Sequence, residues 1–187
     1  MKKFVKKQWG NLLLILLLLV LLVPQARMPV QVIVQRAVAL SPPQIDAEKR
    51  KTVENLTWEL MGPNGAATNI SASRGKVVLI NQWATWCPPC IAEMPSLQRL
   101  YDDFKDGTAF YFITSEDAQT VNRFVTAEGY TLPFYISTQK PPEGLQGGQL
   151  PTTWVLSKKG EVVVQKIGAA KWDSAKMKMV LAQLIAE

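Results

Sequence analysis

Residues 77–81 are strongly apolar and run straight into Gln82-Trp83-Ala84-Thr85-Trp86-Cys87, which reads as a strand feeding a short loop. From Pro89 onward the apolar positions Ile91, Met94, Leu97, Leu100, Tyr101 and Phe104 recur at spacings of three and four, the signature of an amphipathic helix. The pattern then predicts a strand over 109–114, a helix over Ala118–Glu128 ended by Gly129, and a strand over 132–136. A Pro/Gly loop at 140–148 follows, and Pro151 stands directly before the strand Thr152–Leu156. Ser157-Lys158-Lys159-Gly160 turns the chain into Val162–Ile167, and residues 172–185 close it as an amphipathic helix, with Trp172, Val180, Leu181, Leu184 and Ile185 on or near one face. Upstream, 58–61 and 68–70 flank Gly62-Pro63-Asn64-Gly65 and read as a small hairpin. Strands alternating with helices and ending in a hairpin predict one α/β domain with a central mixed sheet flanked by helices.

The N-terminus breaks this alternation. No charge lies between Gln8 and Ala26, and residues 12–23 are continuously apolar and mostly Leu. Nineteen helical residues rise about 28 Å, close to the hydrocarbon thickness of a bilayer. Lys2, Lys3, Lys6 and Lys7 in front of the run predict a cytoplasmic basic segment over 1–7 and an uncleaved transmembrane signal anchor over 8–26. The rival reading, a cleaved signal peptide, lacks a good small-x-small site in Val23-Pro24-Gln25-Ala26-Arg27. Residues 27–51 are then expected as a stalk lying against the domain or the membrane, and 52–187 as the folded domain. Either reading exports the domain, where a disulfide couple persists.

Composition narrows the chemistry. The formal charge of +6 shrinks once the four leading lysines are set aside, because 17 basic residues then face 15 acidic ones. No nucleic-acid footprint remains. Histidine is absent, which excludes a His-based triad and a His-containing zinc site. The only two cysteines, Cys87 and Cys90, stand three positions apart, too few ligands for a structural zinc site and too close to staple distant segments. Neither a metal nor an organic cofactor is expected.

The remaining chemistry is thiol–disulfide exchange. The predicted strand delivers Cys87 to the start of a helix, where unpaired N–H groups and the helix dipole favour a thiolate; Cys87 is therefore expected as an exposed, low-pKa nucleophile. Cys90, one turn in, is placed to resolve a mixed disulfide. Pro88 and Pro89 restrict the backbone between the cysteines, and Pro89 suits the first helical turn, where its missing N–H costs nothing. Glu93 falls one turn past Cys90; it reads either as a carboxyl exchanging a proton with the pair or as a solvated helix residue. Trp86 is expected to cover the dithiol and present an apolar contact surface, Trp83 to pack in the core.

Gly75-Lys76-Val77-Val78-Leu79-Ile80-Asn81, Trp83-Ala84-Thr85-Trp86-Cys87-Pro88-Pro89-Cys90, Glu93-Met94-Pro95 and Pro151-Thr152-Thr153 together resemble the membrane-anchored thioredoxin-like proteins of the TlpA and ResA type. The likeness covers about residues 52 to 187. It implies a thioredoxin-like fold and a protein-disulfide reductase or oxidoreductase on the periplasmic or outer side of the bacterial inner membrane. It also implies a disulfide-containing protein substrate, such as apocytochrome c in cytochrome c maturation or a client of oxidase assembly, and a membrane thiol-transfer protein as electron donor. By the same resemblance Pro151 is a cis-proline facing the dithiol, and it contacts substrate together with Trp86, Pro88 and Thr152. Pro88 departs from the glycine of cytoplasmic thioredoxins, which puts their ordinary potential in doubt. Three alternatives stand beside the reductase: an oxidase that donates its disulfide, a peroxidase, and a binding or scaffold module whose disulfide is structural.

Overall fold

The computed structural model describes residues 8–12, 14–15 and 24–187. Its strands are β1 (Glu59–Met61), β2 (Ala67–Asn69), β3 (Val77–Gln82), β4 (Thr108–Thr114), β5 (Phe134–Ile136), β6 (Thr152–Leu156) and β7 (Val162–Ile167). They form one mixed sheet in the order β2-β1-β5-β4-β3-β6-β7. β3, β4 and β5 run parallel, whereas β6 is antiparallel to β3 and β7 to β6. The helices are α1 (Pro24–Val38), α2 (Pro88–Phe104), α3 (Ala118–Glu128) and α4 (Ala175–Ala186).

Both faces of β3 are covered, which is why it reads as a continuous apolar run rather than an alternation. Val77 and Leu79 pack with Met94, Leu97 and Leu100 of α2 and Leu181 and Leu184 of α4. Val78 and Ile80 face the other way, against Trp58, Ile70, Leu145 and Trp154. Helices thus cover one side of the sheet. The other side is covered by extended segments, the 3-10 turn Ile70–Ser73 and a loop residue, Leu145.

Local signals account for the element ends. Asp117 accepts the Thr120 N–H to cap α3, and Gly129 ends that helix in the left-handed region at φ 70°. The closing helix starts later than its apolar spacing suggests. Ser174 caps α4 by accepting the Met177 N–H, so Trp172 lies in the preceding loop, fully buried, and not on the helix face.

The expected membrane anchor over 8–26 is overturned. Among the described residues no helix is long and apolar enough to cross a membrane; residues 1–7, 13 and 16–23 lie outside the described residues. The described helix next to that span, α1, carries Arg27 and Arg36 among its apolar residues and packs along α2, where Arg36 Nε donates to the Ala92 carbonyl at 3.4 Å. The single-pass inner-membrane location, the outward-facing domain, the membrane contact through an N-terminal helix and the membrane-anchored form of the resemblance rested on that span, and they are withdrawn with it. The cytochrome-maturation and oxidase-assembly setting, with its apocytochrome c client and membrane electron donor, came with the membrane-anchored resemblance and is withdrawn too. The stretch expected as a stalk is fastened to the domain. Lys171 N donates to Leu40 O at 3.0 Å, the Ser41 and Ser174 hydroxyls meet at 2.8 Å, and Ile45 N donates to Val163 O at 2.8 Å.

Candidate active site

β3 lies inside the sheet, between β4 and β6, and releases the chain into the loop Trp83–Trp86. Trp83 anchors that loop from below. Its indole is buried and lies 5.2 Å from the ring of Phe124 and 4.9 Å from that of Phe134, and the Trp83 backbone N–H donates to Ile113 O at 3.0 Å. Glu116, just past β4, fastens the loop from the side: its carboxylate accepts the Thr85 N–H and the Thr85 hydroxyl, each at 2.7 Å. Trp86 then stands 64% exposed beside the dithiol, a large apolar surface without a cover.

Cys87 and Cys90 form a disulfide across the first turn of α2, with Cα atoms 5.3 Å apart. Cys87 is the N-cap of this helix, and its Sγ accepts the Cys90 N–H at 3.3 Å; Pro88 and Pro89 occupy the first two helical positions. The backbone around Cys87 therefore aims a donor at its sulfur, as the strand-to-helix spacing predicted. The expected exposure differs: Cys87 is only 4% accessible and Cys90 is fully buried. Both cysteines belong to the same buried apolar cluster as Trp83 and Ala84 of that loop.

Pro151 follows a cis peptide bond after Leu150. The β3–β6 register pairs Gln82 with Thr152, so Pro151 lies at the edge of the sheet where the chain leaves for Cys87. Thr152 is buried and its hydroxyl donates to Gln149 O at 2.6 Å, tying the turn before Pro151 to the strand after it.

Glu93 is buried at 1% accessibility on α2. One oxygen accepts Asn81 Nδ2 at 2.8 Å; the other accepts Trp172 Nε1 at 2.8 Å and Ala170 N at 3.1 Å. Burial raises its pKa from 4.5 to about 7, against the opposing pull of the three donors and of Lys166. The carboxyl thus changes charge near neutrality, where an exposed one would stay ionised. Its reading as a solvated residue is excluded.

Residues 48–181 match the Redoxin family model, over more than half of the chain. The chain belongs to the Redoxin family. It is 35% identical over 107 residues to the thiol-disulfide oxidoreductase ResA of Bacillus thuringiensis (strain Al Hakam), a stretch covering 56% of this chain and 62% of that protein. The chain therefore spans less than two thirds of that relative. It is 32% identical over 124 residues to the thioredoxin-like protein YneN of Bacillus subtilis (strain 168), covering 63% of this chain and 71% of YneN. Among solved structures, it is similar to a DsbF homologue from Corynebacterium diphtheriae at TM-score 0.59 and 22% identity, over 76% of this chain and 92% of the other. A thioredoxin-family thiol:disulfide interchange protein from Chlorobium tepidum TLS superposes at TM-score 0.58 and 25% identity, over 73% and 99%. The likeness in fold, family membership and the disulfide support an enzymatic, redox activity for this Redoxin-family chain.

The sequence reading missed the groups that surround these residues. Asn81 and Trp172 hold Glu93, yet one sits in an apolar strand and the other read as a core residue of a helix. Glu116 carried no motif. A polar residue inside the apolar run 77–81 was the one available signal, since a buried amide demands a partner.

Proposed function

We propose that this chain is a thiol–disulfide oxidoreductase in which Cys87 exchanges with a cysteine of a polypeptide substrate and Cys90 resolves the mixed disulfide. The observation that carries this reading is Cys87 at the N-cap of α2 with the Cys90 N–H aimed at its sulfur. In the dithiol form that donor and the positive end of the helix favour the Cys87 thiolate. The thiolate attacks a substrate disulfide; a bond forms between Cys87 Sγ and one substrate sulfur, and the other substrate sulfur leaves as a thiolate. Cys90 gives up its proton and attacks Cys87 Sγ, the second substrate thiolate leaves, and the enzyme disulfide returns. Two electrons have then passed from the enzyme to the substrate. The same steps in reverse oxidise a substrate dithiol.

Glu93 supports the second step. It lies one turn past Cys90, out of solvent, and with its pKa near 7 it holds a proton in one part of the cycle and releases it in another. Trp86 offers the substrate an apolar face, Pro88 and Pro151 border the pair where the substrate backbone passes, and the buried Thr152 holds the turn before Pro151 from beneath. The test is a Cys90→Ala variant incubated with a disulfide-bonded model polypeptide. The expected result is a covalent adduct on Cys87 that reductant releases, absent from Cys87→Ala. If the variant traps nothing and the wild-type chain exchanges with no test disulfide, the reading is wrong.

A further inference from the structure

A groove of about 580 Å³ lies beside the dithiol at the C-terminal ends of the three parallel strands. Gln82 and Trp83 form its floor at the end of β3, Ile113 and Thr114 line it from β4, and the loop from Ser137 to Leu150 forms its wall. Both rims meet the site: Trp83 opens the loop that leads to Cys87, and Leu150 directly precedes Pro151.

The wall is preformed. Leu145 is fully buried in the core behind it, its N–H donating to Pro142 O at 3.0 Å. Gly147 lies so close over Thr152 that any side chain there would collide with it. A wall fixed before binding loses little freedom when it is occupied. Along it, the N–H groups of Gly147, Gly148 and Gln149 have no backbone partner among the described residues.

The lining fits a polypeptide. Gln82, Gln146 and Gln149 supply amides that donate and accept, as a peptide backbone requires, and the indoles of Trp58 and Trp83 supply an apolar base. Lys140 is the one charged residue among those lining the groove, it is exposed, and it forms no ion pair among the described residues. The nearby carboxylates are engaged elsewhere: Glu116 by Thr85, and Glu59 by Gln139 Nε2 at 3.0 Å.

We propose that this groove reads the polypeptide next to its reacting cysteine. An extended stretch pairs with the free N–H groups of 147–149 and sets an acidic side chain against Lys140. The assignment rests on the thiol–disulfide reading for its substrate, but its test does not. Two peptides with serine at the reacting position, differing only in a neighbouring Glu or Lys, are titrated into the full chain and followed by backbone amide shifts. The Glu peptide is expected to bind about fivefold more tightly, as one exposed charge pair allows. Lys140→Glu inverts that preference, and Ser115→Trp, which fills the groove from an exposed position, weakens both peptides about tenfold. Equal affinities within about twofold in wild type and Lys140→Glu, or unchanged binding in Ser115→Trp, overturn the groove assignment. Cysteine-bearing versions of the same peptides separate the two readings. Discrimination in binding without any exchange sinks the oxidoreductase reading and upholds the groove, whereas exchange without discrimination in binding sinks the groove alone.

Discussion

Two carboxylates flank the dithiol loop, and each accepts hydrogen bonds from the protein, but they do different things. Glu93 is enclosed, with Asn81, Ala170 and Trp172 as its donors. Glu116 keeps contact with solvent and spends its oxygens on Thr85 and Thr114. Three donors do not offset the loss of water at Glu93, and its pKa rises to about 7. At Glu116 the same kind of bonding acts as a fastening for the loop. Burial, and not the number of hydrogen bonds, brings Glu93 to titrate near neutrality.

The most severe way to break the contrast is Glu93→Ala. It leaves the Trp172 and Ala170 donors buried without an acceptor, and urea unfolding should give a loss of about 3 kcal/mol. A gentler variant sharpens it. A carboxyl whose pKa is higher in the folded than in the unfolded state binds its proton more tightly when folded, so stability falls as pH rises through the window between the two values. For Glu93 that window runs from 4.5 to about 7. The wild-type chain should lose up to about 3 kcal/mol across it, at 1.36 kcal/mol per pKa unit, and level off above. Glu93→Gln should flatten this part of the curve. An unaltered slope in Glu93→Gln would mean that another group titrates there.

Glu116→Ala should have the smallest effect, a loss of about 1 kcal/mol, because water can reach the freed Thr85 N–H. Amide exchange at Thr85 and Trp86 should accelerate, and the slope between pH 4.5 and 7 should remain. If that slope vanished in Glu116→Ala, the division of labour between the two carboxylates would be wrong.

The dithiol was legible because its signals are local. An apolar run, a short loop, two prolines at a helix start and apolar positions at helical spacing occupy adjacent positions, and β3 and α2 form where they place them. The helix end at Gly129 was legible in the same way. The surroundings of Glu93 were not legible, since Trp172 lies 79 positions away in sequence and reaches it only because the segment before α4 folds back against α2. The N-terminus failed for a related reason. Counting apolar residues over 8–26 weighs a segment against lipid alone; residues 13 and 16–23 of it lie outside the described residues, and the adjoining α1 packs on the domain.

The sequence by itself determined the alternation of strands and helices, the junction that brings Cys87 to a helix start, and the exclusion of histidine-based chemistry. All of these follow from composition or from neighbours a few residues apart. Only the tertiary structure decided that Glu93 is buried, that Glu116 holds the loop, that Cys87 is largely covered, and that a preformed groove lies alongside. Each of those depends on desolvation and on contacts between segments distant in the chain, and both arise only when the two faces of the sheet are packed.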